Sequence, residues 1–290
     1  MSETVIIVGA PRSGTNMLRD VLTRLPGMGT WDCDEINLLW KHGNVRVPHD
    51  QLRRDDARPE VADYLRRSFT RLAKRHDLDT VVEKTCATSL RVGFAAEVFP
   101  DARFLFIRRD GIDAAASAVQ RWNAPMDLKY TIRKARFVPG QDFPRHLAAF
   151  AGRRLKQRAD GTAGRTDGDV QVTTWWGPKP RDYAELQRSY DLDEVALVQW
   201  MRCVEGSRRD LDELPAGQVH EVVYEDFVAD PELGLADILQ FLGRPELMDA
   251  GATGLVKRSS VGRGRKSLGQ DRLAKLEALG AGTLREFGYA

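Results

Sequence analysis

The sequence lacks a strong charge of either sign. Its 290 residues include 44 lysines and arginines and 42 aspartates and glutamates, which leaves a formal net charge of +2. A protein that binds nucleic acid usually has a larger basic excess, and the basic segment 257–266 contains no aromatic residue that could stack on bases. The composition therefore predicts no nucleic-acid partner.

Cysteine and histidine are also scarce. The three cysteines, Cys33, Cys86 and Cys203, lie far apart without a CxxC pair, and the five histidines show no spacing typical of metal ligands. We expect reduced thiols, no disulfide framework and no bound metal. Reduced thiols are typical of a cytoplasmic protein.

Long hydrophobic runs are absent too. The first apolar stretch ends at Ala10, has no basic segment before it, and is too short for a signal peptide or a membrane span. We therefore expect a soluble cytoplasmic protein without an integral membrane segment. Because 42% of the residues are hydrophobic, the chain still has enough apolar side chains for a large core.

What the sequence does contain is an alternation of strands and helices. Short runs rich in β-branched and aromatic residues predict four buried strands, at residues 5–8, 80–85, 103–107 and 219–223. Segments with helical periodicity lie between them, and a last helix is predicted over 271–279. This pattern predicts an α/β fold with a central parallel sheet flanked by helices, and a single domain over 1–290. The pattern is lost over 123–182, which we interpret as an insertion or lid over the functional site.

A glycine-bounded turn directly follows the first predicted strand. The segment Gly9-Ala-Pro-Arg-Ser-Gly14 joins this strand to a helix. A turn of this kind presents backbone N–H groups at a helix N-terminus, where an anion binds readily. Arg12, Ser13, Thr15 and Asn16 add side-chain donors, so the turn predicts an oxyanion site.

The same turn lacks the lysine of a nucleotide triphosphatase P-loop. Thr15-Asn16 stands where a Lys-Ser or Lys-Thr pair is needed to hold phosphates and Mg²⁺. A kinase-like nucleotide-binding protein is therefore the weaker alternative. After a hydrophobic strand, Pro11-Arg-Ser-Gly-Thr15 instead resembles the 5′-phosphosulfate loop of sulfotransferases that use PAPS (3′-phosphoadenosine 5′-phosphosulfate).

A second motif strengthens the resemblance. Arg109 follows the third predicted strand and Ser117 lies in the next helix, so both can face one anion at the carboxyl edge of the sheet. The stretch 109–117 is similar to the sulfotransferase signature Arg-Asp-Pro-Arg-Asp-x-x-x-Ser, whose arginine and serine hold the 3′-phosphate of PAPS. Gly111 and Ile112 replace the usual Pro-Arg. Arg121 matches a further 3′-phosphate contact in the tyrosylprotein branch of the family.

Three further segments extend the resemblance. Tyr224-Glu-Asp-Phe resembles the family's Tyr-Glu-Asp-Leu, whose tyrosine contacts the adenine region, and Lys84 resembles the lysine that bridges to the transferred sulfate. The basic segment 259–266 is similar to the C-terminal loop that closes over the cofactor. From this loop, the resemblance implies a catalytic role for Ser259 and cofactor contacts from Ser260, Val261, Gly262, Arg263, Arg265 and Lys266.

The family resemblance also implies a catalytic glutamate just after the first helix. Glu35 is the best match, and it would take the proton of the acceptor. The alternatives for this base are Asp34, Asp32 and His42. Instead of acting in catalysis, Glu35 could cap the next helix.

Together these motifs predict a PAPS-dependent sulfotransferase with a P-loop-like three-layer fold, similar to bacterial members of the tyrosylprotein sulfotransferase class. Arg12 and Lys84 would stabilise charge on the leaving phosphate while the sulfuryl group moves to an acceptor hydroxyl or amine, releasing PAP without a metal. The expected acceptor is a carbohydrate, a lipid, a natural product or a tyrosine, and the sequence does not indicate an oligomeric state. A non-catalytic protein that binds PAP or PAPS is the other alternative.

Overall fold

A five-stranded parallel sheet forms the centre of the protein, as seen in a computed structural model that describes residues 2–122, 139–140, 177–215 and 217–290. The strands are Glu3–Val8 (β1), Met28–Gly29 (β2), Thr80–Lys84 (β3), Arg103–Arg108 (β4) and Val219–Val223 (β5). Their order in the sheet is β2-β3-β1-β4-β5. Val5 of β1 lies opposite Val82 of β3 on one side and Arg103 of β4 on the other. The sheet therefore carries its first strand at the centre.

Helices connect and cover the strands. Those of the described ranges are Thr15–Leu22 (α1), Asn37–Trp40 (α2), Pro59–His76 (α3), Val92–Val98 (α4), Gly111–Trp122 (α5), Tyr183–Ser189 (α6), Leu192–Leu211 (α7), Tyr224–Ala229 (α8), Pro231–Leu242 (α9), Arg263–Ser267 (α10) and Gln270–Glu286 (α11). Two short 3-10 turns, Cys86–Leu90 and Arg258–Ser260, flank the functional site. Of these helices, none combines the length and the apolar character that crossing a membrane requires.

Alternate residues of β1 enter two separate cores, because successive side chains of a strand point to opposite faces of the sheet. Ile6 and Val8 pack among residues of α3, α4, α5, α7 and α11. Val5 and Ile7 pack among residues of α1, α8 and α9 on the other face. The sheet is thus covered by helices on both sides, which confirms the predicted three-layer α/β architecture.

The four predicted strands are all present, and the main differences lie elsewhere. The two-residue strand β2 is too short to leave a periodic signal in the sequence. The last helix does not end near 279 but continues to Glu286. Gly280 explains the difference, because a Cβ there would lie only 3.2 Å from the side chain of Leu197 in α7. This glycine allows two helices to approach closely rather than ending one.

The predicted insertion, 123–182, falls mostly outside the described residues. Its described end, 177–182, is bonded to the rest of the domain. Asp50 and Lys179 exchange two hydrogen bonds, from the Asp50 N–H to the Lys179 carbonyl at 2.7 Å and from the Lys179 N–H to Asp50 Oδ2 at 2.8 Å. Gln199 of α7 also donates to the Pro178 carbonyl at 3.0 Å. This end is therefore anchored to the scaffold before α6 begins.

Candidate active site

Several strands end at one edge of the sheet, and predicted site residues follow them. Arg12 lies in the turn after β1, Lys84 is the last residue of β3, Arg109 follows β4 and Tyr224 follows β5. Because the strands are parallel, their carboxyl ends bring these side chains together. All four line one cavity of about 570 Å³, called here the edge cavity.

The edge cavity has more positive than negative charge. Among the residues that the structure describes, its ionic lining consists of four cations and two carboxylates: Arg12, Lys84, Arg109, Arg121, Asp34 and Glu35. The described ranges contain no group of three or more His, Cys, Asp or Glu side chains that could hold a metal ion. The cationic excess suits a ligand that carries more than one negative charge.

The turn after β1 is sharp because two of its residues adopt left-handed conformations. The φ angles of Arg12 and Gly14 are 69° and 90°. Glycine is required at position 14, since a Cβ there would lie 2.4 Å from the ring of Tyr224. The turn delivers Thr15 and Asn16, the first residues of α1, to the cavity wall. The N–H groups of this first helical turn have no acceptor within the helix, so the geometry supports an anion site.

The two sequence motifs meet at Arg12. Its Nε donates to Ser117 Oγ at 3.0 Å, and its carbonyl accepts from Arg109 Nη1 at 3.0 Å across 97 residues of sequence. Arg121, one helical turn after Ser117, also lines the cavity. The residues predicted to bind two different phosphates therefore lie in one connected group.

Arg109 is strongly oriented by its surroundings. It is only 6% exposed, and its guanidinium lies over the ring of Tyr224 at 4.6 Å from the ring centre. Its Nη2 donates to the Ser260 carbonyl at 2.5 Å. Its Nε has no acceptor among the described residues, and neither does the buried hydroxyl of Ser13. Buried donors of this kind normally have partners, so Arg109, which lines the edge cavity, fits a site completed by a ligand. Ser13 is 0% exposed and does not belong to the described lining.

Glu35 and Lys84 form an ion pair in the edge cavity. Lys84 Nζ and the Cys86 N–H both donate to Glu35 Oε1, each at 3.3 Å. Burial opposes the charge of Lys84, but the nearby Glu35 carboxylate favours it, and the pKa of the Lys84 ammonium lies above its usual value. Lys84 is therefore a cation at neutral pH, beside a carboxylate that is 22% exposed.

Cys86 is a cavity residue that sequence reasoning missed. Its Sγ lies 3.6 Å from Thr15 Oγ1. Burial and the nearby charge of Glu35 raise the pKa of the Cys86 thiol to about 12, so the sulfur is neutral and not a nucleophile at neutral pH. The sequence feature that could have identified Cys86 as a cavity residue is its position directly after Lys84-Thr85, where a strand ends.

The alternatives to Glu35 are separated by their positions. Asp34 lines the edge cavity and pairs with Arg19 at 3.3 Å. Asp32 is exposed, and His42 is buried with its ring stacked on Tyr64 at 3.8 Å between centres. Neither belongs to the described lining of the cavity. The geometry therefore supports Glu35, with Asp34 as the neighbouring carboxylate.

The C-terminal loop, residues 259–266, reaches the cavity through Ser260. The residue predicted to be catalytic, Ser259, is exposed and does not belong to the described lining. The predicted contacts Val261, Gly262, Arg263 and Lys266 are not part of that lining either. The guanidinium of Arg265 points to other partners, Asp110 at 2.8 Å, Glu277 at 2.5 Å and the Tyr289 carbonyl at 2.8 Å. The structure thus gives no support for the direct ligand contact predicted for Arg265.

Gly177 is a second lining residue that sequence reasoning missed. It lies on the far side of the undescribed residues 141–176 and has a φ of 79°. A Cβ there would lie 3.2 Å from Gln199 and 3.4 Å from Pro11. Met17 and Trp122 complete the apolar part of the wall. Such contacts depend on tertiary packing, so no local sequence motif predicts them.

Comparisons with known proteins agree with this arrangement. The model of the sulfotransferase family matches residues 4–139 and 171–249. A search among curated proteins finds no relative. A solved sulfotransferase domain from the curacin biosynthetic pathway matches at 13% identity with a TM-score of 0.56, covering 100% of this chain and 99% of that one. The sulfotransferase STF9 from Mycobacterium avium matches at 13% identity with a TM-score of 0.51, covering 98% of this chain and 76% of that one.

At these identities the solved structures show a shared fold, whereas the family model covers well over half of the sequence. The matched ranges include the turn after β1, the Arg109–Ser117 motif and the Tyr224 segment. The chain therefore belongs to the sulfotransferase family, and its function is sulfuryl transfer.

Proposed function

We propose that the chain transfers the sulfuryl group of PAPS to a hydroxyl or amine of an acceptor and releases PAP. One observation carries the proposal. The edge cavity brings the anion-binding turn and Arg109 together with the Glu35–Lys84 pair. An anion site beside a carboxylate and a buried cation is what transfer from a phosphosulfate requires.

The residues present fit a ligand with two anionic groups. The 5′-phosphosulfate would be held by Arg12, by Ser13 and Gly14 of the turn, and by the N-terminus of α1 at Thr15 and Asn16. The support comes from the left-handed turn and from the cationic excess of the edge cavity.

The 3′-phosphate would be held by Arg109, Ser117 and Arg121. Arg109 has a buried Nε without a described acceptor, and Ser117 already accepts from Arg12. Tyr224, whose ring lies against both Arg109 and Gly14, would contact the adenine region. Ser260 of the C-terminal loop completes this part of the wall.

PAPS supplies a sulfuryl group activated by its bond to a phosphate. Glu35 takes the proton of the acceptor oxygen or nitrogen as this atom bonds to sulfur, and the bond between sulfur and the bridging phosphate oxygen breaks, so that this oxygen leaves with PAP. Lys84 and Arg12 stabilise the charge left on the phosphate. The hydrogen bonds from Lys84 and the Cys86 N–H hold the Glu35 carboxylate in place for this proton transfer.

The acceptor would carry a free hydroxyl, as in a carbohydrate, a lipid, a natural product or a tyrosine. Residues 1–290 would act as one domain, and residues 123–182 would be an insertion that covers the acceptor side. The position of Gly177 in the cavity wall, at the described end of this segment, supports that arrangement.

A thermal-shift screen tests the proposal. PAP should raise the melting temperature by mass action, whereas ATP with Mg²⁺ and ADP should not. Stabilisation by ATP–Mg²⁺ with none from PAP would favour the kinase-like alternative. Stabilisation by PAP without PAP release from PAPS, across a panel of hydroxyl and amine acceptors, would favour a non-catalytic binding protein.

A further inference from the structure

We propose that Asp113 is a positioning residue that fixes the C-terminal loop against the cavity and thereby sets the direction of Arg109. The proposed effect on nucleotide binding rests on the proposed use of PAPS. The contact between Asp113 and the loop can be tested without any nucleotide.

The carboxylate of Asp113 accepts three backbone hydrogen bonds from the loop. Oδ2 accepts from the Gly262 N–H at 2.6 Å, and Oδ1 accepts from the N–H groups of Gly264 at 2.7 Å and Arg265 at 3.2 Å. Asp113 is only 1% exposed. Because a carboxylate strengthens hydrogen bonds to backbone N–H groups, this buried cluster should hold the loop firmly on the first turn of α5.

The two glycines of the loop fit this contact. A Cβ on Gly264 would lie 2.6 Å from Asp113 Cα and 3.0 Å from the Ile112 carbonyl, so the loop backbone rests directly on the helix. Gly262 has a φ of 68°, in the left-handed region that favours glycine. The glycines therefore serve to seat the loop on α5, a role that does not depend on a ligand.

Seating the loop also places an acceptor for Arg109. The Ser260 carbonyl accepts from Arg109 Nη2 at 2.5 Å, and Asp113 Oδ2 accepts from the same nitrogen at 3.4 Å. The Arg12 carbonyl accepts from Nη1 at 3.0 Å. These bonds occupy three of the five N–H groups of Arg109 and leave Nε and one N–H of Nη1 for a ligand. Asp113 itself does not belong to the described cavity lining, so it acts through Arg109 and the loop.

Asp110 holds the same loop through a different group. Its Oδ2 accepts from Arg265 Nε at 2.8 Å, while its Oδ1 accepts from the N–H groups of Ile112 and Asp113 at the start of α5. This second attachment explains why Arg265 points away from the cavity. It should also keep the end of the loop in place when the Asp113 charge is removed.

The test combines two variants that break the contact from opposite sides. Asp113→Asn removes the charge, and Gly264→Ala forces the loop away from α5 while the carboxylate stays. Gly254→Ala is the matched control, because a Cβ there has nothing within 4 Å and the position lies outside the site. Each protein is measured by hydrogen exchange without nucleotide, by calorimetry with PAP and 5′-AMP, and by PAPS kinetics.

In both test variants, exchange at the amides of 262–265 should become at least about tenfold faster. The Kd for PAP should rise by about ten- to a hundredfold, because the 3′-phosphate loses an oriented charged donor. The Kd for 5′-AMP should change less, and the KM for PAPS should rise more than kcat falls. Gly254→Ala should behave as the unaltered protein does.

Unchanged exchange and unchanged PAP affinity in folded Asp113→Asn would overturn the proposal. If that variant does not fold, Gly264→Ala decides by the same two readouts. If the unaltered protein does not bind PAP, the proposed function is wrong, and exchange at 262–265 still decides whether Asp113 holds the loop.

Discussion

The two halves of the edge cavity differ in how tightly they are built. The nucleotide half, named for its proposed ligand, includes the turn after β1, Arg109 and Ser260. Arg109 is only 6% exposed there and donates to the Arg12 and Ser260 carbonyls at 3.0 and 2.5 Å. The transfer half consists of Asp34, Glu35, Lys84 and Cys86, and Glu35 is bonded there at 3.3 Å while 22% of its side chain is exposed. In the first half Arg109 is held in a fixed direction, whereas the second half keeps an accessible carboxylate.

This difference suits the tasks proposed for the two halves. A nucleotide is the same in every turnover, so rigid donors can be aligned to it in advance. A base must meet the proton of an incoming acceptor and needs exposure to do so. Substitutions in the nucleotide half should therefore lower nucleotide affinity, whereas substitutions in the transfer half should lower turnover.

The largest effect should come from Glu35→Gln. The substitution keeps the shape but cannot take a proton, so kcat should fall by about 10²–10⁴-fold while PAP affinity stays nearly constant. Steady-state kinetics and calorimetry on the same sample check both parts.

Asp34→Asn is the matched control for Glu35. Asp34 lines the same cavity but pairs with Arg19, and 48% of its side chain is exposed, so its loss should change kcat little. Asp32→Asn and His42→Gln should also leave kcat nearly unchanged, because neither residue belongs to the described lining. If turnover is lost in Asp34→Asn but retained in Glu35→Gln, the base is Asp34 rather than Glu35.

Arg12→Ala should lower turnover by about 10²–10³-fold and also weaken PAP binding, because Arg12 would hold the phosphate on which charge develops. This variant would therefore affect both halves, unlike Glu35→Gln. Arg24→Ala, an exposed change just beyond α1, serves as the control. Wild-type binding and turnover in Arg12→Ala would show that the turn does not hold the phosphosulfate.

Arg109→Ala should act on the nucleotide half alone. The ratio of the Kd for 5′-AMP to that for PAP should shrink by about ten- to a hundredfold, since only PAP has a 3′-phosphate that loses a charged donor. Titration calorimetry with both nucleotides measures the ratio. An unchanged ratio would show that Arg109 does not bind the 3′-phosphate.

The smallest effect concerns Cys86. Because burial and Glu35 raise the pKa of this thiol to about 12, it should remain a thiol in neutral buffers. Iodoacetamide at about pH 8 should therefore leave Cys86 unlabelled and activity unchanged, with labelling that rises only as the pH approaches this pKa. Mass spectrometry of the treated protein checks the site, and rapid labelling at pH 8 would contradict the neutral thiol.

The fold, and the convergence of the predicted site residues at one edge of the sheet, were largely predictable from sequence, because their signals are local. Lys84, Arg109 and Tyr224 each stand at or directly after a buried strand, and parallel strands bring such residues to one edge. The positions of Cys86 and Gly177 in the cavity wall were not predicted from the sequence. Each depends on a close approach between segments that are distant in the chain.

The C-terminal loop shows that side-chain direction could not be predicted from the sequence. Its basic residues were predicted to contact the cofactor, yet Arg265 bonds to Asp110, Glu277 and a backbone carbonyl. A run of cations shows that charge is present, but the direction of each side chain is set by partners elsewhere. Here those partners lie directly before α5, on α11 and near the end of the chain.

A crystal structure with PAP bound tests the central claim most directly. We expect the 5′-phosphate at the N-terminus of α1 beside Arg12 and the 3′-phosphate within hydrogen-bonding distance of Arg109 and Ser117. We also expect Glu35 to remain beside Lys84 and free of contact with the nucleotide. PAP bound outside the edge cavity, or bound there with its 3′-phosphate away from Arg109, would contradict the claim.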